Sequence, residues 1–327
     1  MTGAAFSQPL QIALTGATGF VGAHTVQELA GRGHDLRLLV RDAARLPADI
    51  ARRATVVEGG LDDEPALQRL VQGADVVIHV AGAIKAQSPG AFLAVNEAGT
   101  ARLASAAAAA QVKRFVHVSS LAAREPHLSG YCASKAAGEV AVRKVAVAAH
   151  GMELVIIRPP AVYGPGDRAT LPLIRELSGK VAIMTGTDAQ RLSLIHVADL
   201  ASALAAAAEG AGRDGACYEI DDGTPGGYSH AAMAEAAAHT TGRTPAVVHL
   251  PRWLMALVGL ASEGWMRAGG RALILSRGKT RELWFENWVC SGEKFEDAGP
   301  WRARYRFAEG FGQTLTWYRD NGWLPAS

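Results

Sequence analysis

The sequence predicts an α/β protein, a doubly wound parallel sheet with a smaller C-terminal substrate region. Three observations carry that reading. Short apolar runs alternate with amphipathic or alanine-rich runs through the first half of the 327 residues. A glycine-rich turn, Gly16-Ala17-Thr18-Gly19-Phe20-Val21-Gly22, stands between the first apolar run and the first helical one. After Arg158 the alternation gives way to a cluster of proline and glycine.

Leu10–Thr15 reads as a buried strand and Phe20–Gly31 as the helix behind the glycine turn. Leu36–Val40, Thr55–Glu58, Val76–Ala81 and Phe115–Ser119 are further short apolar strands. Helices are expected near Pro65–Gln72, over Phe92–Gln111 and over Tyr131–His150, followed by the strand Leu154–Arg158. Ala101–Ala110 is small and strongly helix-favouring, which suits close packing against a sheet. Pro159, Pro160, Gly164, Pro165 and Gly166 then break regular structure. The expected division is therefore residues 1–160 and 161–327. Leu192–Ile195, the helix Asp199–Glu209 and the strand Cys217–Ile220 are expected to return to the large sheet, within 192–222.

Composition excludes several classes. Hydrophobic residues make up 49% and charged residues 20%, so the chain can bury a core and is not disordered in bulk. A formal charge of +2 gives no strong steering towards nucleic acid or acidic membranes. Cys132, Cys217 and Cys290 lie far apart, with no C-x-x-C pair, so neither a disulfide framework nor a zinc site is expected and a reducing cytoplasm fits. The ten histidines show no H-x-x-H or H-E-x-x-H spacing, so no metal is expected. Met1–Pro9 lacks the pattern of a signal peptide, and the apolar stretch Trp253–Ala261 is too short to cross a bilayer.

The glycine turn is the first chemical signal. A chain that turns tightly and opens a helix presents backbone N–H groups and the positive end of the helix dipole to a pyrophosphate. Side chains at the turn would obstruct that approach. An ordinary strand–helix turn uses glycine too, but a second strand ending about 25 residues on favours a dinucleotide. The tip of that strand reads Leu39-Val40-Arg41-Asp42. Arg41 favours a ribose 2′-phosphate and hence NADP. If Asp42 took the ribose instead, NAD would bind.

The second signal is Tyr131-Cys132-Ala133-Ser134-Lys135, which puts a phenol and an ammonium on one helix face. A nearby cation favours the phenolate of a group whose ordinary pKa is about 10, as a general acid/base requires. Ser119 and Ser120 end the preceding strand at the carboxyl edge of the sheet, where one hydroxyl could hold a substrate oxygen. His196 reads as structural. Trp253, Trp265, Trp284 and Trp288 read as core packing first and pocket lining second.

These motifs together resemble the extended short-chain dehydrogenase/reductase family, also called the NAD-dependent epimerase/dehydratase family. Thr15–Gly22 matches its glycine motif. His79-Val80-Ala81-Gly82 resembles the turn after its fourth strand, and Asn96-Glu97-Ala98-Gly99-Thr100 a helix start. Tyr131–Lys135 matches its Tyr-x-x-x-Lys pair, Arg158–Asp167 the segment after its sixth strand, and His196-Val197-Ala198-Asp199 a later signature. Trp288–Ser291, Thr316-Trp317-Tyr318 and Gly322-Trp323-Leu324 resemble 3β-hydroxysteroid dehydrogenase-like and dihydroflavonol reductase-like members. The resemblance implies a Rossmann fold and an NAD(P)-dependent oxidoreductase. Tyr131 would be the acid/base and Lys135 a ribose ligand that lowers the phenol's pKa. Ser120 would be the catalytic hydroxyl, with Ser119 in reserve. Gly16, Thr18, Gly19, Phe20, Val21, Gly22, Arg41, Ala81, Gly82, Pro159 and Val162 would contact the cofactor.

Two features depart from the family. Gly60 stands where an acidic residue usually meets the adenine, leaving Leu61 or Asp62 as substitutes. Only eleven positions separate Ser120 from Tyr131, fewer than in sugar-nucleotide epimerases. The resemblance also admits an epimerase or dehydratase that retains its nicotinamide, and a non-catalytic NADPH-binding regulatory subunit. The expected partner is a small-molecule substrate; the protein itself is expected to be a homodimer.

Overall fold

The structure is a computed structural model that describes residues 9–250 and 277–326. Seven strands form one fully parallel sheet: β1 (Gln11–Thr15), β2 (Asp35–Val40), β3 (Thr55–Glu58), β4 (Val76–His79), β5 (Arg114–Val118), β6 (Glu153–Arg158) and β11 (Cys217–Glu219). Their spatial order is β3-β2-β1-β4-β5-β6-β11. The order reverses between β1 and β4, so a crevice opens at their carboxyl ends.

Side chains on successive residues of a strand point to opposite faces, and both faces here are covered. Ile12, Leu14, Val116, Val155 and Ile157 pack with Val26 and Leu29 of α1 (Phe20–Gly31) and Leu200 and Leu204 of α8 (Val197–Ala208). Ala13, Val77, Phe115 and Ile156 pack on the other side. There they meet Leu67 and Leu70 of α3 (Glu64–Val71), Leu103, Ala104 and Ala107 of α5 (Thr100–Ala109), and Val142 of α6 (Gly130–Ala148). Burying each of these Val, Leu, Ile and Phe side chains stabilises by about 1.5–3 kcal/mol.

Further elements lie after β6, in the half expected from the sequence to bind substrate. They are β7 (Ala161–Tyr163), α7 (Leu171–Ser178), β8 (Val181–Thr185), β9 (Arg191–Leu192), β10 (Leu194–His196), α9 (His230–Thr241), β12 (Ala246–Leu250), α10 (Arg277–Trp284), β13 (Asn287–Trp288) and α11 (Phe307–Asp320). Tyr163, Ile174, Leu177, Met184, Met233, Phe307, Phe311 and Tyr318 form its core. No helix among the described residues is long and apolar enough to cross a membrane. Trp253, Trp265 and the stretch Trp253–Ala261 lie outside the described residues.

Three expectations need correction. Phe92–Gln111 is not one regular helix: α4 (Pro89–Leu93) runs into a π-turn, Ala94–Gly99, before α5. The proline–glycine cluster still contains β7, which pairs with β10. Leu192–Ile195 therefore does not rejoin the large sheet; β9 pairs with β13 and β10 with β7. Only α8, against α1, and β11, against β6, return to it.

Candidate active site

The glycine turn is built as a cradle. Gly16 has φ +84°, a left-handed backbone that favours glycine, and a Cβ there would lie 2.7 Å from the Ala81 amide nitrogen. A Cβ at Gly22 would overlap the Gly16 carbonyl oxygen. Ala81 is drawn in further because its N–H donates to Thr15 Oγ1 at 3.3 Å. Gly19 begins α1 without a side-chain cap, and no acidic residue follows in the first turn. The N–H groups around Phe20 and Val21, flanked by Thr18, thus keep the helix dipole available to an anion. These residues fit the pyrophosphate of a dinucleotide.

At the tip of β2, Arg41 is exposed, while Asp42 Oδ1 accepts from Ala44 N at 3.0 Å and caps a short 3₁₀ turn. Leu61 is partly buried against Gly99, and its carbonyl accepts from Arg102 at 3.1 Å. Asp62 is exposed beside Gly60.

The serine and tyrosine meet at the carboxyl edge of the sheet, and the lysine stands one turn further along the tyrosine's helix. Ser129 Oγ accepts from Cys132 N at 3.1 Å and so starts α6 immediately before Tyr131. The Ser120 hydroxyl lies close enough to the Tyr131 phenol to favour its ionised form. Burial pushes the phenol up to about 12, against the lowering effect of Ser120, with Glu282 and Cys132 raising it further. Lys135 is buried and donates from Nζ to Val118 O at 2.9 Å. Burial brings its ammonium down to about 8, partly opposed by Glu139. A Cβ at Gly82 would stand 3.7 Å from Lys135 Nζ, so Gly82 leaves the approach to the ammonium clear. Pro159 is buried and its carbonyl accepts from Leu121 N at 2.8 Å, fixing the chain just after Ser120. Val162 sits partly buried on β7, opposite Ile195.

Ser119 is engaged elsewhere. Its Oγ donates to Glu139 Oε1 at 2.5 Å, and Glu139 is clamped by Arg158 at 2.8 and 2.6 Å. The geometry therefore separates the two serines: Ser120 faces the phenol, and Ser119 belongs to a buried ion pair.

Several residues not expected as site residues support the arrangement, two of them within segments that resemble family motifs. Asn96, in the π-turn, accepts from Ala83 N at 2.7 Å and donates to Ala83 O at 3.0 Å and Ser134 Oγ at 2.9 Å. His79 bridges Thr15 Oγ1 at 2.7 Å and Thr100 Oγ1 at 2.9 Å, linking the phosphate cradle to that turn. Burial, with Lys135 beside it, takes the His79 imidazole down to about 3. Arg124, four residues past Ser120, donates to Asn287 O at 2.7 Å and Val289 O at 2.9 Å, tying the substrate half to the serine turn.

The sequence model of the NAD dependent epimerase/dehydratase family matches residues 12–220. The chain belongs to this family. It is an NAD(P)-dependent enzyme of the extended short-chain dehydrogenase/reductase type, with oxidoreductase chemistry. It is 39% identical over 314 residues to the ceramide reductase of Caulobacter vibrioides, covering 96% of each chain. It is 28% identical over 244 residues to a 3 beta-hydroxysteroid dehydrogenase/Delta 5→4-isomerase of Mycobacterium tuberculosis, covering 66% of this chain and 65% of that one. Among solved structures, that of gox2253 superposes with a TM-score of 0.75 at 25% identity, covering 96% of this chain and 99% of the other.

Proposed function

We propose that this family member is an NADP(H)-preferring carbonyl reductase with Tyr131 as proton donor, and that its substrate is a ceramide-type lipid carbonyl. The observation that carries the reaction is the closeness of Ser120 to the Tyr131 phenol at the carboxyl edge of the sheet, with Lys135 one turn along the same helix. A bound nicotinamide supplies the hydride. The chain's own residues manage the proton. Ser120 holds the carbonyl oxygen, the Tyr131 hydroxyl gives its proton to that oxygen as it becomes an alcohol, and the Lys135 ammonium favours the phenolate left behind. Gly16, Thr18, Gly19, Phe20, Val21, Gly22, Ala81, Gly82, Pro159 and Val162 would line the cofactor.

The substrate class rests on the extended match to a ceramide reductase and on the short connection between Ser120 and Tyr131. The cofactor preference rests on exposed Arg41 and on the capping work that occupies one Asp42 oxygen. Leu61 is the candidate adenine contact. The three free thiols support residence in a reducing cytoplasm, and a homodimer is expected in solution, to be read by light scattering.

The test follows NADPH fluorescence with a panel of oxidised ceramide-type lipids, alicyclic and aromatic ketones and UDP-sugars. Net NADPH oxidation with a lipid carbonyl is the expected result. Epimerisation of a UDP-sugar faster than any carbonyl reduction overturns the reading. NADPH binding without any turnover points to the regulatory subunit. For the cofactor, Arg41→Ala should weaken NADPH about 10- to 100-fold and leave NADH unchanged, because one charge-assisted contact is lost; equal NADPH and NADH affinities in the parent overturn that preference.

A further inference from the structure

We propose that Glu282, in the substrate half, is a positioning residue for Tyr131: its buried carboxylate is fastened to the hydroxyl that caps the Tyr131 helix and holds α10 and its negative charge beside the phenol. The proposal rests on Tyr131 being the proton donor. Its own basis is a set of contacts between two elements 153 residues apart in the chain.

Ser129 Oγ does two things at once. It accepts the Cys132 N–H that starts α6, and it donates to Glu282 Oε1. Gly278 stands one turn before Glu282 on α10, and a Cβ there would come within 2.9 Å of the Ser129 Cβ. The two residues four apart on one helix face therefore both meet Ser129, and glycine permits the close approach. Glu282 Oε2 is paired with Lys279 Nζ at 2.8 Å, and the Glu282 carbonyl accepts from Trp288 Nε1 at 2.8 Å. The carboxylate side chain is only 8% exposed, whereas Lys279 is 41% exposed. The ammonium is thus the wetter partner, and the negative charge is the one held inside. It also lies at the positive end of the α6 dipole, where an anion is favoured.

Besides Lys135, whose proposed part is to favour the phenolate, the titratable groups acting on the Tyr131 phenol among the described residues are Glu282 from α10 and Cys132 from its own helix, both opposing ionisation, while the Ser120 hydroxyl favours it. Phe92 covers the ring edge-on at 6.1 Å. A carboxylate in that place keeps the phenol protonated, which is the form a reductase needs before hydride transfer.

The experiment measures the pH dependence of kcat for NADPH-driven reduction, with the KM for NADPH, in the full-length protein. Glu282→Gln keeps the shape and the Ser129 contact but removes the charge. The phenol's alkaline step, read above the one that Lys135 adds near pH 8, should move to lower pH by about 0.5–1 unit, with the KM for NADPH unchanged. Lys279→Met leaves the carboxylate and removes its cation, so the phenol's step should move the other way. Tyr131→Phe run in parallel separates the two hypotheses. If it stays active, the proton-donor reading fails and this inference with it. If it is inactive while both pH profiles superpose on the parent's, only the role of Glu282 is overturned. Should Glu282→Gln not fold, as judged by circular dichroism, the direction of the Lys279→Met shift decides alone.

Discussion

Lys135 carries its charge where charge is disfavoured. One backbone carbonyl is its hydrogen-bond acceptor, and burial brings its pKa down from the ordinary 10.5 to about 8. The sign of the consequence follows from proton counting. Between about pH 8 and 10.5 the unfolded chain binds a proton that the native chain has released, so stability rises with pH in that window. Below about 8 the full penalty applies. Lys135→Met should therefore stabilise the cofactor-free protein at pH 7 by about 2–4 kcal/mol in urea titrations while abolishing turnover. A stability loss would mean that the ammonium is better solvated than the structure indicates. The neighbouring phenol gives the kinetic counterpart. Tyr131→Phe keeps the ring, so NADPH affinity should hardly change while turnover falls about 10²–10⁴-fold. Ser120→Ala should likewise reduce turnover. Ser119→Ala should instead lower stability, because it strips a partner from the buried Glu139 carboxylate.

At the scale of elements, the site depends on how α6 meets the π-turn. Gly138 lies inside α6, where alanine would ordinarily raise helix stability. Here a Cβ would overlap the Asn96 carbonyl oxygen, a backbone atom that cannot swing aside. Gly138→Ala should cost about 1–3 kcal/mol of stability and raise the KM for NADPH, since Asn96 and Lys135 would shift together; a thermal melt and cofactor titration check both. This contact also marks the limit of what the sequence shows. The glycine turn, the Tyr131–Lys135 spacing and the large-sheet strands were legible, because each depends on local periodicity or on residues within one turn. The π-turn was not, since nothing in Phe92–Gln111 breaks helical patterning. The strand β7 was hidden by the prolines around it, and the pairing of β9 with β13 joins residues almost a hundred positions apart. Ser120 and Ser119 were adjacent and chemically equal in the sequence. The family resemblance ranks Ser120 first, and the distant Glu139 and Arg158 show what Ser119 does instead. Arg124 and Glu282 belong to no motif, and the contacts that tie them to the site join residues more than 150 positions apart.

For the whole molecule, the buried histidines set the response to acid. Burial lowers His79 to about 3, His196 and His230 to about 4, and His117 well below its ordinary value. His117 has no hydrogen-bond partner for either ring nitrogen among the described residues, so nothing compensates its protonation. On unfolding each ring takes up a proton once the pH is below about 6.5, and stability falls as the pH drops. Each contributes up to about 1.4 kcal/mol per pH unit. Urea midpoints should therefore decline steeply from pH 6.5 to 4.5, and His117→Phe should flatten that decline; an unchanged slope would show that His117 already ionises in the native state.

The return of α8 and β11 to the large sheet has a meaning in time as well as in space. A ribosome releases β1 to β6 first, yet the apolar face of α1 waits for α8, roughly 165 residues on, and the outer edge of β6 waits for β11, encoded roughly sixty residues later. At synthesis rates of about 5–20 residues per second, that interval is about 3–12 s. During it, an unpaired strand edge and an uncovered apolar surface stand open beside the emerging substrate half. The cell's need to guard this nascent chain should thus peak before residue 219 has emerged, and a stalled chain ending at 160 should be found with chaperones while one ending beyond the substrate half should not.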